Sequence, residues 1–151
     1  MGAVSGRISV KDGSPDGYRA LAALTRAGHP DHALAEIVKL RASRINNCRY
    51  CVDAHTAGAL KAGVTDDRIA ATADWQASDL FDDRERAALA LTDLLTRSDD
   101  LARAEDPSVA PVWDAAAQAF PGDELLQLVF TIAGINAWNR MMISEAVSSE
   151  G

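Results

Sequence analysis

Cysteine is scarce in this chain: 151 residues contain only two, Cys48 and Cys51. A disulfide-stapled secreted scaffold needs several bridges, so that class is excluded. Aromatic residues are also few, at 5%, and no segment alternates apolar and polar residues for the length of a strand, which argues against a β-rich fold. No apolar run approaches the roughly 20 residues needed to cross a bilayer. The opening MGAVSGRISVKDGSPDG lacks the apolar middle region of a secretory leader, and Gly6 stands where a myristoylation signal needs Ser or Thr. There is no basic stripe interleaved with aromatics, and a formal charge of −7 repels nucleic acid and anionic lipid. The expectation is a cytoplasmic, reducing setting with neither nucleic acid nor membrane as partner. There, a close cysteine pair is catalytic or metal-binding rather than a staple.

What the chain does have is alanine and leucine in abundance, which favours helix. Hydrophobic residues make up 48% and charged residues 25%, an ordinary balance for one globular domain of this length. Residues 1–13 read as a flexible, poorly ordered arm and 14–151 as a single all-α domain, a compact bundle of about seven helices. Ser14-Pro15 pairs an N-cap with proline at the first helical position, opening a helix to about Ala27 that Gly28-His29-Pro30 breaks. Asp31 caps the next helix. Asn46-Asn47 then interrupts, Asn46 closing one helix and Asn47 capping another from Cys48 to Ala62, stopped by Gly63. Thr65 caps a short helix ending near Trp75. Asp82 with Glu85 three residues on has capping-box spacing, and Asp106-Pro107 opens a sixth helix that Pro121-Gly122 ends. The last helix starts near Asp123 and reaches about Ala146. Its segment Leu125–Ile135 is apolar almost all round, as in a helix buried at a bundle centre or against another subunit. Asn136, Asn139 and Arg140 are unusual in so apolar a helix. They read as hydrogen-bonding groups at a subunit contact, with no chemistry assigned.

The two cysteines stand in Cys48-Arg49-Tyr50-Cys51-Val52-Asp53-Ala54-His55, with Glu36 twelve residues before Cys48. At a helix start, unpaired N–H groups and the helix dipole stabilise a thiolate. Residues three apart on a helix have Cα atoms about 5 Å apart, within the range a disulfide accepts. His55 lies four residues past Cys51 and shares its face. Glu36 lies roughly 15 Å down the preceding helix from the Asn pair and His55 roughly 12 Å down the following one, at 1.5 Å per residue. If the helices fold back on each other, carboxylate and imidazole meet. The result is a nucleophile, a base and an orienting group.

Glu36, eleven residues, Cys48-x-x-Cys51, three residues and His55 together resemble the signature of the alkylhydroperoxidase D-like proteins of the carboxymuconolactone decarboxylase superfamily. SRINNCRYCVDAHT, FDDRERAALALT and INAWNR are similar to its peroxidase-related branch. The resemblance runs from about Tyr18 to Met142. It implies an all-α fold assembled as homotrimers or homohexamers, and reduction of alkyl hydroperoxides without metal, haem or other cofactor. It further implies Cys51 as the peroxidatic thiol and Cys48 as the resolving one, with Glu36 and His55 as proton relay. The implied electron donor is an external dithiol, such as a lipoylated or thioredoxin-like protein. Tyr50 occupies a position that is histidine in some members, and the N-terminus is shorter than in the best-studied peroxidases of the family. The decarboxylase branch generally lacks the C-x-x-C pair, which disfavours decarboxylation.

Three other readings compete. The cysteines could be inert core residues. The pair could exchange disulfides or sense redox state without turning over peroxide. His29 and His32 with Cys48 and Cys51 could hold zinc in a helical scaffold, although Pro30 and Asp31 already explain that segment as a helix start. Glu36 or His55 alone would be unremarkable helix residues. Trp75, Trp113 and Trp138 read as core or interface packing rather than a binding box, and the charges from Asp82 to Arg86 as a solvated helix start.

Overall fold

A computed structural model describes residues 8–97, 99 and 106–145. Among them the chain is helical with no strand: α1 Val10–Gly13, α2 Pro15–Arg26, α3 His32–Ile45, α4 Arg49–Lys61, α5 Asp66–Ala71, α6 Asp83–Thr96, α7 Ala110–Ala119 and α8 Asp123–Glu145, with 3₁₀ segments at Thr72–Ala77 and Pro107–Val109. The expected helix starts recur. Ser14 caps α2 ahead of Pro15, Asp31 accepts the Leu34 N–H, and Asp82 and Glu85 form a reciprocal capping box. The helix expected up to Trp75 is instead α5 followed by a 3₁₀ segment, kinked where Asp74 leaves helical backbone.

Of the arm expected over residues 1–13, residues 1–7 lie outside the described part. Val10–Gly13 forms a helical turn capped by Ser9, with Val10 buried. One apolar residue in a polar segment has no periodicity to reveal it. The predicted end of the last helix at Ala146 also lies outside the described residues.

α3 runs through the middle, flanked by α4, α6 and α8, and is buried on most sides. Leu34 and Val38 join α6 and α8 around Phe120, Leu128 and Ile132. Ile37 and Leu40 join α4 and α5 around Ala59, Ile69 and Trp75. The Arg41 guanidinium is also inside. Its Nε and Nη2 donate to the Asp93 carboxylate at 2.7 and 2.9 Å, and its Nη1 donates to the Thr72 and Ala73 carbonyls. Trp75 Nε1 donates to the same carboxylate at 3.0 Å. A buried charge pair in which all three guanidinium nitrogens are engaged ties α3 to α6 and to the 3₁₀ segment.

The chain reverses between α3 and α4 in a Schellman turn. Asn47 has φ of 56°, the only positive value at a non-glycine among the described residues. Its N–H donates to the Arg44 carbonyl, and the Cys48 N–H donates to the Ser43 carbonyl, which satisfies the last carbonyls of α3. Asparagine tolerates this backbone because its side chain is short and polar. The turn is held from α8 as well. Asn46 Nδ2 donates to the side-chain oxygens of Asn136 and Asn139, both at 2.9 Å. Asn139, fully buried, donates to Ser43 Oγ, and Asn136 donates to Thr96 Oγ1. Arg140 donates to Asn136. The amides read as groups at a subunit contact are therefore bonded within the chain, where they fix the α3–α4 turn.

We predict that Asn47→Ala, forced into left-handed backbone, costs about 1 kcal/mol and lowers Tm by about 2–4 °C. Asn47→Gly should stay at or above the wild-type value. Equal melting of Asn47→Ala and wild type in calorimetry would show the turn to be unstrained.

Candidate active site

The turn decides where α4 begins. Cys48 is its N-cap, Sγ accepting the Cys51 N–H at 3.3 Å. Asn47, expected in that place, has its left-handed backbone committed to ending α3, so the cap passes one residue along and Cys51 becomes the third helical residue. The thiols are joined as a disulfide with Cα atoms 5.2 Å apart, the separation expected for three helical residues. Each cysteine is 3% exposed. They pack with Val10 and Met142, against which Tyr18, Leu21 and Trp138 lie.

Glu36 and His55 face each other across α3 and α4, as the matched depths predicted. Oε2 is 2.8 Å from His55 Nδ1, and Oε1 is 3.4 Å from Lys39 Nζ. Burial acts to raise the Glu36 carboxyl. The hydrogen bond and charge of His55, joined by those of Lys39, outweigh it and hold the carboxyl below its ordinary value. An ionised carboxylate only accepts hydrogen bonds, so Nδ1 carries the proton. In the neutral form of the ring the lone pair is then on Nε2, free to act as a base.

Gly58, one turn past His55, was not singled out from the sequence. A Cβ there would stand 2.6 Å from Glu36 Oε2 and 2.8 Å from its Cδ. The missing side chain is the seat of the carboxylate. A glycine inside a helix costs about 1 kcal/mol relative to alanine, the one sequence signal that could have drawn attention to it.

Cys51 and His55 open together onto a cavity of about 350 Å³. Tyr18 and Ala22 of α2, and Ile135, Trp138 and Met142 of α8, make its walls largely apolar. Trp138 is thus a cavity wall as well as a packing residue. Its Nε1 donates to Thr25 Oγ1 at 2.9 Å and its ring meets Tyr18 edge-on with centroids 5.4 Å apart. Trp75 belongs to the core, and Trp113 packs against it. A larger cavity of about 680 Å³ uses a different face of α4, through Arg49, Val52 and Asp53, and is bounded by Arg41, Arg44 and Arg97. It contains no cysteine or histidine.

The donors of the zinc reading do not converge. His29 is buried, with Nδ1 accepting the Asp31 N–H at 3.2 Å and its ring edge-on to Phe120. His32 is exposed, and the thiols are bonded to each other. Among the described residues no group of three or more His, Cys, Asp and Glu side chains is placed to hold a metal ion.

Two predictions follow from the Glu36 seat. In Gly58→Ala the new Cβ displaces the flexible carboxylate rather than the helix. Stability should therefore stay within about 1 kcal/mol of wild type, while the Glu36 carboxyl returns toward its ordinary pKa, read by ¹³C NMR. An unchanged Glu36 titration would mean that Gly58 seats nothing. The second concerns acid. A carboxyl whose folded pKa is depressed stabilises the fold above the unfolded value of about 4.3, and that contribution is lost as pH falls through the folded value. The stability advantage of wild type over Glu36→Gln in urea unfolding should accordingly shrink between about pH 6 and pH 3. A gap constant with pH would refute the assignment.

The chain is similar along nearly its whole length to the uncharacterized protein YdfG of Bacillus subtilis (strain 168), with 28% identity over 144 residues, covering 93% of this chain and 95% of the relative. Its fold superposes with a TM-score of 0.83 on an Agrobacterium tumefaciens protein of unknown function for which an antioxidant-defence role as an AhpD has been suggested. The two are 27% identical, and the match covers 94% of this chain and 96% of that one. A debrominase, Bmp8, solved with 2,3,4-tribromopyrrole, shares the fold with a TM-score of 0.76 and 20% identity, over 91% of this chain and 72% of its own. Residues 15–94, more than half the chain and the stretch that holds Glu36, Cys48, Cys51 and His55, match the carboxymuconolactone decarboxylase family, to which this protein belongs.

Proposed function

We propose that this protein is a thiol-dependent peroxidase that reduces alkyl hydroperoxides. The observation that carries the reading is a single apolar cavity onto which Cys51 and His55 both open, with Glu36 bonded to the far side of the imidazole. In the reduced protein, His55 Nε2, or a water it holds, takes the Cys51 proton. The helix start stabilises the thiolate that results. The thiolate attacks one peroxide oxygen and the O–O bond breaks. The other oxygen leaves as an alcohol, taking the proton back from His55, and Cys51 becomes a sulfenic acid. The Cys48 thiol then attacks Cys51 sulfur. The S–S bond forms and the sulfenic oxygen leaves as water with the Cys48 proton. Two electrons from an external dithiol, of the kind a lipoylated or thioredoxin-like protein carries, reopen the bridge by exchange. The cycle calls on no metal or cofactor.

The apolar walls support an organic hydroperoxide over hydrogen peroxide. Glu36, seated by Gly58, supports an imidazole held in one tautomer. Assembly as a homotrimer or homohexamer belongs to the same reading. It is supported by large apolar side chains left exposed on α8, Leu126 at 57% and Ile143 at 42%. So does action in the cytoplasm. No helix among the described residues is long and apolar enough to cross a membrane.

The test is turnover of cumene or tert-butyl hydroperoxide with a dithiol reductant. Cys51→Ser should reduce it to background. Cys48→Ser should still consume about one equivalent of peroxide per thiol and then stall as a sulfenic acid that dimedone traps. A Cys51→Ser variant with the wild-type rate overturns the reading. Wild-type protein that exchanges its disulfide with thiols yet leaves hydroperoxide untouched is a disulfide-exchange or redox-sensing protein instead.

A further inference from the structure

The relay as described leaves one charged group unused. Lys39 lies one turn after Glu36 on α3, with its side chain only 16% exposed. Among the described residues the Glu36 carboxylate is its sole hydrogen-bond or ion-pair partner, through Oε1 at 3.4 Å. Lys39 also lines the cavity onto which Cys51 and His55 open. A lysine ammonium loses much of its hydration when half-buried, and such a position persists only where a counter-charge compensates. Here that counter-charge is the carboxylate that orients the base.

The two oxygens of Glu36 are thus divided, Oε1 to Lys39 and Oε2 to His55 Nδ1, while the space behind the carboxylate exists only because residue 58 is glycine. Resting on the peroxidase reading for its role in turnover, we propose that Lys39 is a positioning residue of the relay: it holds Glu36 ionised and turned toward His55, and so sets the lower pH limit at which the relay can take the Cys51 proton.

The sign follows from charge alone. The titratable groups around the pair are Lys39 on α3, Tyr18 on α2, and Cys51 and Tyr50 on α4. α8 contributes only uncharged side chains to this cavity. Among the described residues that line this cavity, Lys39 is therefore the one with a fixed positive charge. Removing it makes the pair bind protons more readily, whichever of Glu36 and His55 takes the first. A protonated pair cannot accept the Cys51 proton, so the acid limb of any rate that needs the thiolate moves to higher pH. In the partly buried setting the shift is about one pH unit or more, which is a roughly tenfold fall in rate at a fixed pH on that limb. Above the limb the rates should converge.

The experiment compares wild type, Lys39→Met, Lys39→Gln and Lys39→Arg, each checked for its fold by circular dichroism. The first readout is the pH dependence of Cys51 alkylation by iodoacetamide in the reduced protein, with the modified residue located by mass spectrometry. The second is the pH profile of cumene hydroperoxide turnover. The expected result is an acid limb displaced upward by about one unit in both charge-removing variants and restored in Lys39→Arg. Superimposable alkylation profiles in a folded Lys39→Met or Lys39→Gln overturn the proposal. So does a Lys39→Arg variant as deficient as the neutral ones, because length rather than charge would then be responsible. Should wild type leave hydroperoxide untouched, the peroxidase reading fails by itself, and the alkylation profiles still decide the place of Lys39.

Discussion

The reversal at Asn46-Asn47 is held twice. Along the chain, the left-handed backbone of Asn47 brings the last carbonyls of α3 onto the N–H groups of Asn47 and Cys48. Across the fold, Asn136 and Asn139 of α8 grip the Asn46 side chain, and Asn139 reaches on to Ser43. Every property of the site depends on this reversal. It makes Cys48 the residue at which α4 begins, so its sulfur takes a helix N–H. It places Cys51 in the first turn, where the helix dipole is felt. It lays α4 back along α3 far enough for His55 to meet Glu36. Asn139 is fully buried, so a rearranged turn would leave its amide without partners.

Much of this was legible in the sequence because it is written in local chemistry. Ser14-Pro15, Asp31 and the Asp82/Glu85 pair are caps whose side chains bond their own helix, and the Asn pair marks a break whatever surrounds it. Glu36 stands opposite His55 because two helices leaving one turn count residues at the same 1.5 Å rise, so equal depths can be read from the sequence. The rest is tertiary. The cap passes from Asn47 to Cys48 because an asparagine can either end a helix or begin one, and its neighbour Asn46 is bonded to residues 90 and more positions away. Gly58 gains its meaning from a carboxylate on another helix, and Val10 from the cysteines it packs with. Arg41 and Asp93 lie 52 residues apart, and no local pattern shows that both are buried.

The interior combines two polar arrangements of different kinds. Arg41, Asp93 and Trp75 form a set in which each guanidinium nitrogen and both carboxylate oxygens are bonded, suited to holding α3, α6 and the 3₁₀ segment in place. The set of Lys39, Glu36 and His55 is open at one end. Its inner members are paired, but the imidazole keeps a free nitrogen toward an apolar cavity. A charge in such a cavity is poorly screened, so each proton moved there shifts its neighbours more than it would at the surface. The same tool kit of carboxylate and cation therefore closes one arrangement in one half of α3 and, in the other, leaves a ring nitrogen open to the cavity, as the proposed relay requires.

A redox pair at a helix start meets opposed demands. Closing the bridge needs a reactive thiolate. Reopening it needs a sulfur that leaves readily as a thiolate, and the leaving step is faster the lower that thiol's pKa. One arrangement answers both here. When a dithiol attacks Cys51, the departing Cys48 sulfur already accepts the Cys51 N–H and sits at the positive end of α4. When it attacks Cys48, the departing Cys51 sulfur lies in the same first turn, one turn from His55 and on the same cavity wall. Since both sulfurs are almost fully buried, access rather than intrinsic reactivity decides between the two routes in the proposed cycle. Cys51 lines the apolar cavity and Cys48 does not. In the proposed cycle oxidant and reductant thus meet at the same opening, and the alcohol must leave before the dithiol can enter.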